Sequence, residues 1–517
     1  MRRVALATTT LALVAGWDEP FANIYRGLDT AGRVEAELNR SLADYAQIET
    51  PGAAERLVVR LLSDPRRSAL ILGNRLLVDA RFLLTHKGLH HVEFVRSVLE
   101  RSHDHPNFAY QWEWNADGFN SEDQLIREGC RTPRRMTLER VKPGSIANQK
   151  IRTPIPRLVI AKKYGYDQCG ILMPNVYFDD LTLWGREEAA LRREGLAKTE
   201  RDPRVFWRGA IRRQPDCLDE TGNFARLEAV ALSAQFPQLF DVKCISCGAR
   251  DFDKRPCPAL TLDEPTRRVV RDGLPRGDHV AEEAYLNYKW LLNLPGSVSG
   301  SYSRNLNHLW ASGSAVVVWA APYVEWYYPA LAEGKTHLEM SKTNFDAEPF
   351  ARQLLNATLQ KRLATRARAV HDEFVCADCL GNYWRLLVDR TRDRFGLRHV
   401  LEDPRSLRRV LARLDFHNFR LVEFNSMGHE FTRVRLLADR RAFLNLAKHA
   451  LFRPEPLAGH WNAMPGRDWA AIDKESKSWT LTKDFKRYVS PEPTPRPAPP
   501  PRHKRGRHGK GKKRGHH

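Results

Sequence analysis

Residues 285–329 constrain the fold more than any other part of the chain, because one short block changes periodicity twice. It reads Y-L-N-Y-K-W-L-L-N-L-P-G, then S-V-S-G-S-Y-S-R, then N-L-N-H-L-W-A-S-G-S, and closes on A-V-V-V-W-A-A-P-Y-V-E-W-Y-Y-P. The apolar run 290–294 has strand length, Leu306, Leu309 and Trp310 have helical spacing, and 315–319 is a second, β-branched run. A strand, a turn, a helix and a strand make a βαβ unit, whose crossover joins parallel strands, so the block predicts an α/β fold. Its turn is suited to an anion. Gly296 and Gly300 let backbone approach a ligand, Ser297, Ser299, Ser301 and Ser303 supply hydroxyls, and Arg304 adds a planar, permanently charged fork before the helix start.

Strand–loop–helix anion sites occur on many folds, and spacing alone assigns no ligand to this one. The wording is more specific. The block resembles glycosyltransferase family 90, the lipopolysaccharide-modifying and capsule-associated group that includes the protein O-glucosyltransferases. The residues that carry the resemblance are Lys289, Asn293, Gly296, Ser301, Tyr302, Ser303, Arg304, His308, Leu309, Ser312, Gly313, Ser314, Glu325, Tyr328 and Pro329. In one respect the chain departs from the family pattern: Arg304 follows the S-Y-S triplet directly, where one small residue usually intervenes.

Three further segments extend the resemblance over residues 90–390. Phe206-Trp207-Arg208-Gly209, with Arg226 at a family-like distance, matches the motif and arginine that line the nucleotide-sugar pocket, with Ala210 where serine is usual. The helix-like run 92–99, the strand-like run 108–115 and then Ala116-Asp117-Gly118 match the approach to the loop bearing the catalytic aspartate. Residues 363–384 resemble the helices that close the domain.

The resemblance implies two Rossmann-like α/β domains of GT-B type and an inverting transfer of a sugar, glucose or xylose, from a UDP-sugar to a hydroxyl of a protein or glycan. Such a displacement needs a base on the acceptor and positive charge on the leaving diphosphate. Asp117 is the implied base, with Glu113 and Asp180 as substitutes. Arg208, Gly209, Arg226, Ser301, Tyr302, Ser303, Arg304 and Glu325 are the implied donor-binding residues. No cofactor is expected and no metal requirement. Asp251-Phe252-Asp253 has the form of a D-x-D metal motif, but three-residue acidic patterns are common by chance and this scaffold class holds its diphosphate without metal. The alternative is a non-catalytic homologue that binds a glycan or nucleotide sugar, and donor hydrolysis separates the two.

Composition bounds the rest. A chain of 517 residues with 42% hydrophobic residues and thirteen Trp can fill two or three cores. No run of eighteen apolar residues occurs, which excludes a multispanning helical membrane protein. Net charge is +21, and residues 502–517 hold eight Lys or Arg and no acid. The remaining excess suits an anionic substrate, and the basic tail suits peripheral contact with polyanions. Nucleic acid is not an expected partner, since the chain lacks a recognisable binding module or interleaved aromatic platforms. Arg2 and Arg3 ahead of the mostly apolar residues 4–16 have the charge order of a signal peptide, the other reading being an N-terminal segment packed on the body. That places the protein in the lumen of the endoplasmic reticulum or Golgi, or outside the cell. The eight cysteines, including the C-x-x-C pairs Cys244/Cys247 and Cys376/Cys379, are then expected in disulfides rather than zinc sites, with connectivity left open. The organisation expected is a signal peptide (1–20), a leader and polar helix (21–50), an acceptor-side α/β domain (51–200), a nucleotide-sugar domain with closing helices (201–395), a helical or irregular extension (396–489) and a disordered Pro-rich, basic tail (490–517).

Overall fold

The structure is a computed structural model that describes residues 29–43, 45–83, 85, 87–102, 104–113, 155–163, 170–211, 222–247, 262–296, 305–321 and 323–413, with short segments at 419–421, 426–427, 430–431, 470–473 and 478–481. Asp117, Ser301, Tyr302, Ser303 and Arg304 lie outside the described residues, as do the N-terminal apolar run, Asp251-Phe252-Asp253 and the basic tail.

Two sheets organise the chain. The first contains β1 (Ser68–Leu72), β2 (Arg75–Asp79), β3 (Phe108–Trp112), β4 (Arg157–Val159) and β5 (Ile171–Leu172), with the strand Phe419–Leu421 added at the edge beside β2. β1 and β2 form a two-residue hairpin in which Gly73 and Asn74 have φ of 55° and 62°. That is the left-handed pair a tight hairpin requires, and glycine and asparagine supply it most cheaply. β3 is antiparallel to β1, and β3, β4 and β5 then run parallel. The first sheet is thus antiparallel on one side and parallel on the other.

The second sheet is wholly parallel. It contains β6 (Asp202–Ile211), β7 (Phe240–Cys247), β8 (Tyr288–Asn293), β9 (Ala315–Trp319) and β10 (Leu338–Met340), in the spatial order β10-β9-β8-β6-β7. β8, the helix Asn305–Leu309 and β9 are the βαβ unit read from the sequence. The five residues of β9 are all buried, as expected of a parallel strand covered on both faces. Trp207, Trp290, Leu292 and Val317 pack one face with Leu227 and Val230, while Phe206, Leu291, Val316 and Val318 join the larger core that also holds the first sheet. The chain is therefore an α/β protein of two packed halves, the architecture expected.

Helices tie the halves together. Leu181–Ala197 links the two sheets, capped by Asp180, whose carboxylate accepts from the amides of Thr182 and Leu183. Ala377–Arg394 returns to the first half, where the Tyr383 hydroxyl donates to the Leu172 carbonyl at 3.0 Å and the Trp384 indole donates to His105 at 2.9 Å. Leu355, Leu359, Leu363, Val370 and Phe374 follow helical spacing, yet Asn356 ends Ala347–Leu355 and caps Ala357–Val370 by accepting from the Leu359 amide at 2.9 Å. Cys244 with Cys247 and Cys376 with Cys379 form disulfides, so both C-x-x-C pairs close on themselves. Among the described residues no helix is long and apolar enough to cross a membrane.

Candidate active site

The strand order of the second sheet locates a crevice. Counted from β6, the order is 2-1-3-4-5, a doubly wound arrangement in which the connections turn opposite ways on either side of the gap between the first and third strands. Ligands of open α/β sheets bind outside the carboxyl ends of the strands at such a switch point. Here it lies between the ends of β6 and β8.

Arg226 spans that gap. Carried on the helix Gly222–Gln235, it donates from Nε to the Pro295 carbonyl at 2.9 Å and from Nη1 to the Ala210 carbonyl at 2.8 Å. One guanidinium thus ties the chain leaving β8 to the chain ending β6, and its carbon lies 5.4 Å from the centre of the Trp207 ring. Gly209 serves the same arrangement, since a Cβ there would lie 2.3 Å from the Trp207 ring. Between Gly209 and Ala210 the register against β7 shifts by a residue, a bulge of the kind that re-aims a strand end beside a site. Pro295 and Gly296 then open the Gly/Ser turn. On either side of that turn, buried Asn293 and Asn307 have side-chain oxygens without hydrogen-bond partners among the described residues.

Arg208 points elsewhere. Its guanidinium donates to the Asp241 carbonyl at 2.7 Å and pairs with the Asp241 carboxylate at 2.9 Å, near the start of β7. Tyr288 donates to the same carboxylate at 2.6 Å, and Lys243 lies 3.1 Å from it. Burial raises the Asp241 pKa, but the Tyr288 hydrogen bond and the two cations more than offset that, and it is lowered. The Arg208 guanidinium also lies over Phe206, which stacks on Tyr288 with ring centres 4.0 Å apart. This arrangement braces β6, β7 and β8 against one another.

The two sheets meet at their carboxyl ends. Beyond β4, Lys162 and Lys163 pair antiparallel with Val324 and Tyr323, which lie beyond β9. Next to this ladder Glu325 is 1% exposed. Burial drives its carboxyl up to about 8, although the Tyr328 hydroxyl, 3.3 Å from Oε1, and the facing Asn175 side chain oppose the rise. Glu325 is therefore a sealed, largely protonated acid at neutral pH, built into the joint between the halves. A lone sequence gives no signal of that burial.

The two carboxylates named as substitutes for Asp117 are already engaged. Glu113, at the end of β3, is fully buried with Arg67 at 3.3 Å and Arg157 at 3.4 Å. Asp180 caps its helix and pairs with Arg96 at 2.9 Å. Neither is poised to take a proton from an incoming hydroxyl. In the first half, His90 and Asp179 lie 89 residues apart yet meet at 2.6 Å; only proximity in the fold reveals them. Among the described residues no cluster of His, Cys, Asp or Glu has the makings of a metal site.

No protein-family model matches the chain, and no curated protein matches it. Three solved structures show partial likeness: TarM (13% identity, TM-score 0.26, 37% of this chain and 36% of that one), the GtfA/B complex (16%, 0.25, 38% and 37%) and the pneumococcal O-GlcNAc transferase GtfA in complex with UDP and GlcNAc (13%, 0.27, 46% and 52%). The likeness spans about a third to a half of each of those chains. TM-scores of that size carry no argument, so the architecture rests on this chain's own strand pairing.

Proposed function

We propose that the protein is an inverting glycosyltransferase that moves a sugar, glucose or xylose, from a UDP-sugar to a hydroxyl of a protein or glycan. The observation that carries this reading is Arg226, which bridges the ends of β6 and β8 at the switch point and fixes the entry to the Gly/Ser turn. The resemblance to glycosyltransferase family 90 rests on that same turn and supplies the class of ligand, a nucleoside diphosphate sugar.

In the proposed reaction the acceptor oxygen attacks the anomeric carbon from one face, and the bond to the diphosphate breaks on the other. Charge grows on the leaving phosphate oxygen. Arg226 holds the entry to the turn at Pro295, the resemblance assigns the diphosphate to Ser301, Tyr302, Ser303 and Arg304, and electrostatic stabilisation of this kind is commonly the largest single contribution to rate. Arg208 and Gly209 hold the floor of the donor site by packing β6, and Glu325 shapes the joint through which the acceptor half faces it. The resemblance gives the base role to Asp117.

The test is release of UDP from UDP-glucose, UDP-xylose, UDP-galactose and UDP-N-acetylglucosamine by the purified full-length protein. The reading predicts release from UDP-glucose or UDP-xylose above the other two. Binding of UDP without release from any donor would favour the non-catalytic alternative, and absence of binding would contradict both.

A further inference from the structure

The two C-x-x-C pairs sit in unlike surroundings. Cys244 and Cys247 belong to β7, where Cys244 is fully buried in the core of the second sheet. Cys376 and Cys379 open the 18-residue helix Ala377–Arg394, and both are partly exposed. Cys376 is the N-cap, its sulfur accepting from the Cys379 amide at 3.1 Å. Cys379 Sγ in turn lies 3.1 Å from the Asp372 carbonyl oxygen.

Both contacts suit the reduced pair better than the bonded one. A helix start presents unpaired amides and the positive end of the helix dipole, which favour a thiolate at Cys376. A thiol on Cys379 would have the Asp372 carbonyl to donate to, whereas a disulfide sulfur has no proton to give. Asp372, Glu373 and Asp378 are the acids within four residues of the pair. Two of them are countered, Asp378 by Arg101 and Asp372 by Arg192 at 2.7 Å. A couple whose reduced form is stabilised in this way is readily reduced.

The segment is also held in place without the disulfide. His371–Val375 is wound as a π-helix, a form frequent at functional sites, with the Cys376 amide donating to the His371 carbonyl at 2.9 Å. The His371 ring bridges Glu188 and Asp372 at 2.9 Å to each, and the Trp184 indole donates to the Val375 carbonyl at 2.8 Å. A bond that spans only two intervening residues constrains the unfolded chain little, because that contribution grows with loop length. The pair is therefore poorly suited to be a staple and well suited to exchange.

We propose that Cys376 and Cys379 form a reversible dithiol–disulfide couple that exchanges with thiols of the glutathione class, while Cys244–Cys247 is structural. The inference does not rest on the glycosyl-transfer reading. A glutathione thiolate attacks Cys379 Sγ to form a mixed disulfide, and the Cys376–Cys379 bond breaks with its electron pair leaving on Cys376. A second glutathione thiolate attacks the glutathione sulfur of the mixed disulfide, so that oxidised glutathione departs and Cys379 leaves as a thiolate that takes up a proton. Two electrons pass to the pair; of the two thiol protons, one goes to Cys379 and one to solvent.

The test equilibrates the full-length protein with reduced and oxidised glutathione in graded ratios and traps free thiols with N-ethylmaleimide. Tryptic peptides 369–385 and 244–250 carry the two pairs separately. Cys376–Cys379 should be half reduced at a value of [GSH]²/[GSSG] at least about tenfold lower than Cys244–Cys247 requires, in a protein that still melts cooperatively. In Cys379→Ser, the rate of Cys376 alkylation should rise with a midpoint below the ordinary thiol value of about pH 8.5. Reduction of both pairs at the same ratio, reduction of Cys376–Cys379 only with loss of the melting transition, or free thiols in peptide 369–385 under excess oxidised glutathione would overturn the proposal. So would a Cys376 midpoint at or above that of an ordinary thiol. If Cys379→Ser does not fold, the parental ratios decide.

Discussion

At the scale of single residues, burial decides what each charged group can do. Glu325 is the clearest case, because its folded-state carboxyl is pushed up to about 8 by burial from an ordinary value of 4.5. The folded state therefore holds a proton that the unfolded chain releases above about pH 4.5, and linkage makes stability fall as pH rises between 4.5 and 8. Glu325→Gln keeps the shape and cannot ionise. It should melt close to the parent near pH 5 and above it at pH 8, as read by thermal unfolding at the two values. Parallel shifts of parent and variant across that range would show that the carboxyl is not sealed. The same logic separates Arg208 from Arg226. Both arginines could be picked from the sequence, but only the fold shows that one closes on buried Asp241 while the other spans the switch point.

At the scale of elements, the helix Thr30–Ala43 is a clamp on the joint between the halves. It brings Glu37 to 2.7 Å from the Lys162 ammonium and Ser41 to 2.6 Å, and Lys162 lies in the ladder with Val324. Burial pushes the Glu37 carboxyl up, but Lys162 and Arg40 overcome it and hold the group at about 2. A depressed carboxyl contributes stability that is complete above its unfolded value near 4.5 and drains away as pH falls toward 2. Removing one partner of a buried pair strands the other, so Glu37→Gln should cost about 3–5 kcal/mol, measured by denaturant unfolding at neutral pH. It should also flatten the loss of stability between pH 4.5 and 2. An unfolding midpoint unchanged from the parent would mean that Lys162 finds another counter-charge.

At the scale of the whole molecule, what could be read in advance followed the range of the interactions. β8, the helix Asn305–Leu309 and β9 were legible because their hydrophobic period changes locally. The hairpin of β1 and β2 has a local sequence signal, since Gly73-Asn74 between two apolar runs makes a two-residue hairpin turn. The strand Phe419–Leu421 gave no such signal, since three residues show no period and its partner β2 lies far back in the chain. The split at Asn356 was hidden because helical spacing continues through the cap. In the site, Arg226 was legible through its resemblance to a family motif, whereas in the first half the His90–Asp179 pair depends wholly on two distant segments being brought together. The central claim is that the switch point spanned by Arg226 is a nucleoside diphosphate site. Calorimetric titration of UDP into the full-length protein and into Arg226→Ala tests it most directly. The account predicts a one-to-one complex with the parent and an affinity weakened about tenfold to a hundredfold in a variant that still melts cooperatively, as loss of site positioning would give; equal UDP affinity in the two proteins, or no binding to the parent, would contradict it.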